Sequence, residues 1–277
     1  VPVGTLAHVL TVSTVNVNGL RAAAKKGYRE WLAGTKADVV CLQEVRATAD
    51  QLPAEVREPE GWRTVLHAPA AAKGRAGVMI LARRKALETR IGFDAEEFAD
   101  AGRYVEITLP TTIIGSLYLP SGDVGTPRQD EKERFMEAFQ PYLADLRKRA
   151  ESEGREALVC GDWNIAHRKE DLKNWRGNQG AAGFLPEERA WLDSIYDELG
   201  YTDIGRAAQP EGEGPYSWWS YRGRAFDNDS GWRIDLHVAT PGLAAAARSA
   251  VVERAPSHEE RWSDHAPVTV RYDFPKQ

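Results

Sequence analysis

Apolar positions in this chain fall into short runs, and most runs stop on a polar or acidic side chain. Residues 9–17 alternate apolar and small polar positions, which predicts a half-buried strand ending in the stretch NVNG (16–19). A basic turn with Arg21, Lys25 and Lys26 then leads into a short helix through Trp31. DVVCLQE (38–44) is an apolar run of strand length that closes on Glu44. Further strands are predicted at 62–67, 77–82, 104–109 and 112–119. Residues 128–149 have helical period, with Phe135, Phe139, Tyr142, Leu143 and Leu146 on or near one face. Pro141 falls inside that segment and predicts a kink or a break into two helices. ALVCGD (157–162) is a second buried strand ending on a carboxylate, and 186–199 is a helix with Pro186 in its first turn. Later strands are expected around Trp218 and at 233–240, 250–253 and 267–272.

Strands outnumber helices, and both are spread along the whole length. With no linker, low-complexity segment or short repeat, the pattern predicts one α/β domain over residues 1–277. Its two halves each open with an apolar strand ending in an acid, and a layered sandwich of two sheets with outer helices accommodates both. Composition adds exclusions. Hydrophobic residues at 42% and charged residues at 28% are ordinary for a globular chain and rule out disorder, collagen-like repeats and coiled coil. Two cysteines, Cys41 and Cys160, are too few for a disulfide scaffold and suit a reducing compartment, so the expected location is the cytoplasm. No apolar run approaches the roughly 18 residues of a membrane span, and the first residues lack the basic segment of a signal peptide. A net charge of −5 argues against a bulk nucleic-acid coat protein. It leaves room for a local basic groove, because the field at the binding face is what steers a polyanion.

Five strand ends carry polar groups that a core would not tolerate. They are Asn16 with Asn18, Glu44, Asp162 with Asn164, Asp235, and Asp264 with His265. Each has an ordinary explanation alone, such as a turn or a cap, but five strand ends converging on one rim make a catalytic site on a rigid scaffold. Carboxylate and amide oxygens, with no Cys/His pairs at ligand spacing, point to Mg²⁺ (or Mn²⁺) rather than zinc. Such a site suits metal-assisted hydrolysis of a phosphate ester.

These residues also carry a family resemblance. NVNGLRA (16–22), LQE (42–44), YLPSG (118–122), GDWNIAH (161–167), GWRID (231–235) and SDHAPV (263–268) occur in this order. The set resembles the exonuclease III family of abasic-site endonucleases, in the endonuclease/exonuclease/phosphatase superfamily, over about residues 9–273. NGLRA, DLKNW, GFLPEER and WWSYR narrow the resemblance to the bacterial DNA-repair branch. The resemblance implies a DNase I-like, four-layered α/β sandwich of two packed mixed sheets flanked by helices. It implies that Glu44 is the principal metal ligand, assisted by Asn18 and Asp264. Asp162 orients or deprotonates the attacking water, Asn164 and Asn16 hold the scissile phosphate, and Tyr118 donates to a phosphate oxygen. Asp235 accepts from His265 and favours its protonated form, so that His265 stabilises charge on the phosphorane. Whether Asp162 or His265 is the general base stays open at this level, with Asp162 preferred. His167 reads as structural, and Asn18 stands where many animal relatives carry aspartate, which weakens its metal role.

The implied partner is double-stranded DNA with abasic sites or blocked 3′ ends, met without a membrane by a monomer that works at the bacterial nucleoid. Trp218, Trp232 and Ile234 stand where the family lines a pocket for a flipped, baseless sugar. Phosphate contacts are sought among Arg21, Lys25, Lys73, Arg75, Lys173, Arg176, Arg222, Arg224 and the neutral Asn174, with Arg21, Arg75 and Arg222 favoured. The implied reaction is Mg²⁺-dependent hydrolysis 5′ to an abasic site, leaving a 3′-hydroxyl and a 5′-deoxyribose phosphate, accompanied by 3′-to-5′ exonuclease and 3′-end cleaning. Two other readings keep the fold: a phosphoesterase for inositol phosphate or phospholipid, and a non-catalytic DNA-binding relative.

Overall fold

The computed structural model describes residues 9–70 and 74–274, so Lys73 lies outside the described residues. Twelve strands follow one another as β1 (Val9–Asn16), β2 (Val39–Gln43), β3 (Arg63–His67), β4 (Val78–Ala82), β5 (Glu88–Ile91), β6 (Tyr104–Thr108), β7 (Thr112–Tyr118), β8 (Glu156–Asp162), β9 (Thr202–Asp203), β10 (Asp235–Ala239), β11 (Ala247–Val252) and β12 (Val268–Asp273). They form two six-stranded sheets, ordered β11-β12-β1-β2-β4-β3 and β5-β6-β7-β8-β10-β9. The last two strands return to the sheet begun by the first four, so both ends of the described chain lie in one sheet.

Each sheet has one parallel pair at its centre. Asn16 of β1 lies opposite Gln43 of β2, and Tyr118 of β7 lies opposite Asp162 of β8. Those four strands therefore end at the same rim. Antiparallel β10 and β12 begin there, with Asp235 opposite Asp162 and with Asp264 and His265 just before β12. Gly161 makes the second pairing possible, because a Cβ there would lie 2.0 Å from the Leu117 carbonyl oxygen.

Between the sheets lies an apolar layer that includes Val12, Val39, Ile80, Ile107, Ile114, Leu158 and Val270. Cys41 and Cys160 are buried in it as free thiols, in keeping with their reading as small hydrophobes. Helices α1 (Leu20–Ala23), α2 (Tyr28–Gly34) and α3 (Ala54–Arg57) cover the outer face of the first sheet through Leu20, Tyr28, Leu32 and Val56. The second sheet is covered by α4 (Pro127–Ser152) and α5 (Pro186–Asp193), with Phe135, Phe139, Leu143, Leu146 and Leu192 inward. Two short helices, α6 (Ile204–Ala208) and α7 (Pro241–Ala246), follow. The result is the expected four layers.

Local expectations fare less evenly. The helix with Pro141 is one element of 26 residues, not two. Pro141 and Glu137 both stand on the exposed side, where water can satisfy the carbonyl that the proline leaves without a donor. Residues 186–199 split into an α-helix and a π-helical turn, Ser194–Glu198. Around Trp218 there is no strand, only single bridges to Trp232 and His265. The strand expected from Arg233 starts instead at Asp235, because Arg233 is drawn into a buried ion-pair network.

Candidate active site

The rim where the sheets' central strands end holds a cleft of about 400 Å³. Its lining includes Asn18, Glu44, Tyr118, Asp162, Asn164, Trp218, Trp232, Ile234, Asp264 and His265, so most of the residues picked from the sequence meet in one place. Asn16 lies beneath them, fully buried, and its Nδ2 donates to Glu44 Oε1 and to Asp162 Oδ2, both at 2.9 Å. One amide from the first sheet thus holds carboxylates from both. Under that layer Gln43 donates to Thr14 Oγ1 and to Ser116 Oγ, each at 3.0 Å, which fixes the two sheets in register below the site.

Backbone strain concentrates here. Asn18, Glu44, Arg46 and Asn164 take φ of 46°, 50°, 53° and 50°. A left-handed glutamate or arginine costs on the order of 1 kcal/mol or more, and such conformations persist where surrounding contacts over-determine them. At Glu44 the turn takes the chain out of β2 and is pinned by Gly19 N–H donating to the Glu44 carbonyl at 2.8 Å and Val45 N–H to that of Gly77 at 2.9 Å.

The carboxylates fall into two environments. Glu44 Oε1 accepts from Asn16 and from the Tyr118 hydroxyl at 2.9 Å, while Oε2 faces the Arg46 guanidinium. Asp264 accepts from Asn18 Nδ2 at 2.8 Å and from Trp218 Nε1 at 3.0 Å. Glu44, Asn18 and Asp264 offer hard oxygens at the open side of the cleft, and a cationic group already stands on Glu44 Oε2. This donor set fits a hard divalent cation.

Deeper, Asp162, Asp235 and His265 form a tight group whose ligand-capable atoms lie within 4.8 Å of one another, an arrangement that could itself hold a metal ion. His265 Nδ1 is 2.9 Å from Asp235 Oδ2, which also accepts from Ser217 Oγ at 2.6 Å. Asp235 Oδ1 is buried with no partner among the described residues. His265 Nε2 faces Asp162 Oδ2 at 3.9 Å. Burial opposes a charge on His265, but Asp235, with Asp162 and Asp264 behind it, outweighs burial and lifts its pKa to about 10. The protonated imidazole is a poor ligand, so the group suits proton handling better than metal binding. Burial also raises Asp162, to about 7. Charge on His265 and the Asn16 bond oppose that rise, while Asp235 and Glu44 reinforce it. Tyr118 is raised by burial and by the charges of Glu44 and Asp162, so its phenol stays a donor.

Trp218 and Trp232 meet edge to face at 6.2 Å, and with Leu172, Phe184 and Ile234 they make an apolar wall beside Asp162 and His265. Asn164 closes the turn after β8, its N–H on Asp162 Oδ1 at 3.0 Å and its Nδ2 on the Leu119 carbonyl at 2.8 Å. A second groove, about 600 Å³, shares Asn18 and Arg46 with the cleft and is lined by Arg21, Lys25 and Lys26. Arg75, Asn174, Arg222 and Arg224 are exposed but line neither the cleft nor this groove. His167 sits 2.7 Å from Asp193, away from the cleft lining.

Sequence reasoning missed Arg46, Arg128, Ser217, Ser263 and the buried pair Lys132 and Glu188. Arg46 and Arg128 are the cleft's two guanidinium groups. Ser263 donates to the Asn16 carbonyl at 2.6 Å and so holds the start of the site in place. Lys132 did leave a signal, since it falls on the apolar stripe of its helix.

Comparison with known proteins agrees with this geometry. The model of the endonuclease/exonuclease/phosphatase family matches residues 13–265. The chain is 33% identical to an exodeoxyribonuclease of Bacillus subtilis over 91% of its own length and 95% of the relative's. It is 31% identical to the DNA repair nuclease APEX1 of Danio rerio, covering 94% of this chain and 81% of that protein. Among solved structures, a 3′-5′ exonuclease from Neisseria meningitidis superposes with a TM-score of 0.84 at 28% identity, over 96% of this chain and all of the other. An AP endonuclease from Archaeoglobus fulgidus gives 0.83 at 25% identity, over 95% of this chain and 99% of that one.

Proposed function

The chain belongs to the endonuclease/exonuclease/phosphatase family, in its exonuclease III branch of abasic-site endonucleases, and from that premise we propose that it is a Mg²⁺-dependent DNA repair phosphodiesterase. Its reaction hydrolyses the backbone of double-stranded DNA 5′ to an abasic site, leaving a 3′-hydroxyl and a 5′-deoxyribose phosphate. The same cleft trims and cleans 3′ ends, which present the same kind of phosphate. No helix among the described residues is long and apolar enough to cross a membrane. In this reading the working form is a monomer.

One observation carries the mechanism: Asp235 holds His265 by Nδ1 at 2.9 Å, while Nε2 of the same ring faces Asp162 Oδ2 at 3.9 Å. Asp235 favours the protonated form of His265, which in this reading leaves the role of base to Asp162. Asp162 is the buried carboxylate poised to accept a proton. Asp162 therefore takes the proton from the attacking water, and the His265 imidazolium meets the charge that develops on the phosphoryl oxygens. Asn164 donates to the ester, and the Tyr118 hydroxyl joins it by exchanging its bond to Glu44 for one to a phosphate oxygen, which fixes the phosphorus for in-line attack. Glu44, Asn18 and Asp264 would hold the divalent cation, which when bound would polarise a phosphoryl oxygen and offset its charge. Arg21, Lys25 and Lys26 carry the duplex backbone to the cleft, with Arg75, Arg222 and Asn174 as further phosphate contacts outside both grooves. The Trp218, Trp232 and Ile234 wall accepts a sugar without a base and excludes one with it.

Incubation of a labelled duplex bearing one abasic analogue, with Mg²⁺ and with EDTA, beside an undamaged duplex, tests this reading. Metal-dependent nicking on the 5′ side of the lesion, with ends that a polymerase extends, is the expected result. Equal cutting of the undamaged duplex, or cutting that survives EDTA, overturns it.

A further inference from the structure

Helix α4 packs Phe135, Phe139, Leu143 and Leu146 on the second sheet, and Lys132 sits one turn back on the same stripe. Its side chain is fully buried, as is that of Glu188 on α5, and the two charges are 2.7 Å apart. Burial lowers the Lys132 pKa against the pull of Glu188. A dry ion pair is a poor device for stability alone, since desolvation offsets the attraction and an apolar pair packs as well.

The pair's further bonds run to Gln129 and to the backbone around the cleft. Lys132 Nζ donates to the Asn164 carbonyl at 3.0 Å and lies 3.4 Å from that of Ser121. Glu188 Oε2 accepts from the N–H groups of Gly183 at 2.7 Å and Leu185 at 3.1 Å. Ser121, Asn164 and Gly183 all line the cleft. A Cβ at Gly183 would lie 3.0 Å from the Asn164 carbonyl oxygen and 3.1 Å from the Trp232 ring, so the three groups are already in close contact. The Asn164 turn, strained at φ 50°, is thus held from below by Lys132 and from the side by the segment that Glu188 ties down.

We propose that Lys132 and Glu188 are positioning residues that set the spacing between the phosphate-holding turn at Asn164 and the sugar-pocket wall at Gly183 and Trp232. The pair thereby governs turnover and the preference for an abasic sugar over an ordinary 3′-terminal nucleotide. This rests on the reading of the cleft given above.

Three variants test it: Glu188→Gln, Lys132→Arg, and the double Lys132→Met/Glu188→Met, which strands no charge if a single substitution fails to fold. Hydrogen exchange over residues 181–188 is read beside kcat and KM on an abasic duplex and on a blunt duplex end. In the double variant, exchange speeds up and kcat on abasic DNA falls about tenfold or more while KM stays within about threefold, as expected for reacting groups displaced by a fraction of an ångström. Blunt-end kcat falls less, and Lys132→Arg, which keeps the charge, retains most of the abasic rate. A folded double variant with wild-type kcat and wild-type substrate ratio makes the pair packing only and overturns the proposal. Absence of abasic incision in the wild type strikes the proposed function instead. In that case hydrogen exchange and blunt-end kcat decide the role of the pair, and unchanged values in the double variant overturn the proposal.

Discussion

Two clusters of buried charge flank Ile234, and they behave in opposite ways. On one side Asp171 and Asp203 meet Arg206 and Arg233, two acids against two bases, every member at least nine-tenths buried. Burial alone would raise Asp171, but Arg233 and Arg206 prevail and hold its carboxyl at about 2. Arg233 is likewise held firmly charged against burial by Asp203 and Asp171. On the other side Asp162 and Asp235 share a single base, His265, and Asp235 keeps an unpartnered oxygen. There the carboxyl of Asp162 is pushed up to about 7 and the imidazole to about 10. Residues two apart in sequence, Arg233 and Asp235, belong to different clusters. A balanced set of buried charges locks its protons and serves as structure. An unbalanced set leaves a proton ready to move, and that is the chemistry the proposed reaction needs.

Substitutions can break that contrast. The largest effect is expected for Asp162→Asn: removing the base lowers incision by about 10³- to 10⁴-fold. Folding should not suffer. A carboxyl raised in the native state adds stability only at low pH and loses that contribution as pH rises through about 7. At pH 8 the variant's thermal midpoint should equal or exceed the wild type's, and a clear drop would mean that Asp162 is structural. Arg233→Met is the mirror case. It strands Asp203, leaves Asp171 with Arg206 alone, and should cost about 3–5 kcal/mol in urea unfolding. A loss under about 1 kcal/mol would show that the network is no lock.

His237 sharpens the comparison by isolating burial. It sits on β10 two residues beyond Asp235, and burial lowers its pKa to about 4 against a weaker opposing bond to Val268. Its native pKa lies below the unfolded value, so its contribution is complete above about 6.5 and is lost as pH falls toward 4. The shift corresponds to about 3 kcal/mol between those limits, and His237→Gln should flatten that slope in urea titrations. An unchanged slope would assign the acid sensitivity elsewhere. The smallest effect is expected for Asp235→Asn, which relieves the imbalance and lets His265 release its proton earlier. Incision should fall about 10²-fold at pH 8, with the alkaline limb moved to lower pH. A limb that stays in place would detach Asp235 from His265.

Strand ends were the legible part of this site. Glu44, Asp162, Asp235 and His265 each interrupt an apolar run, and period-two patterning found the central strands that carry them. What escaped was coupling at a distance. Whether Arg233 ends a strand depends on Asp203, and whether Lys132 is solvent-facing depends on Glu188, 56 residues later. Local pattern cannot supply such pairings. The lysine on an otherwise apolar stripe was nevertheless readable as an anomaly, as was Glu188 one turn before Trp191 and Leu192. The wall formed by Trp218 and Trp232 came from family resemblance, since a tryptophan beside a strand reads first as core.

The pH profile of incision tests the central claim most directly, measured on the abasic duplex at saturating Mg²⁺ under single-turnover conditions from pH 5 to pH 11. Asp162 must be ionised and His265 protonated, so the rate should climb tenfold per pH unit below about 7, level, and fall as pH passes about 10. A rate that is flat from pH 5 to pH 8, or that declines across that span, would contradict the assignment of Asp162 as the base.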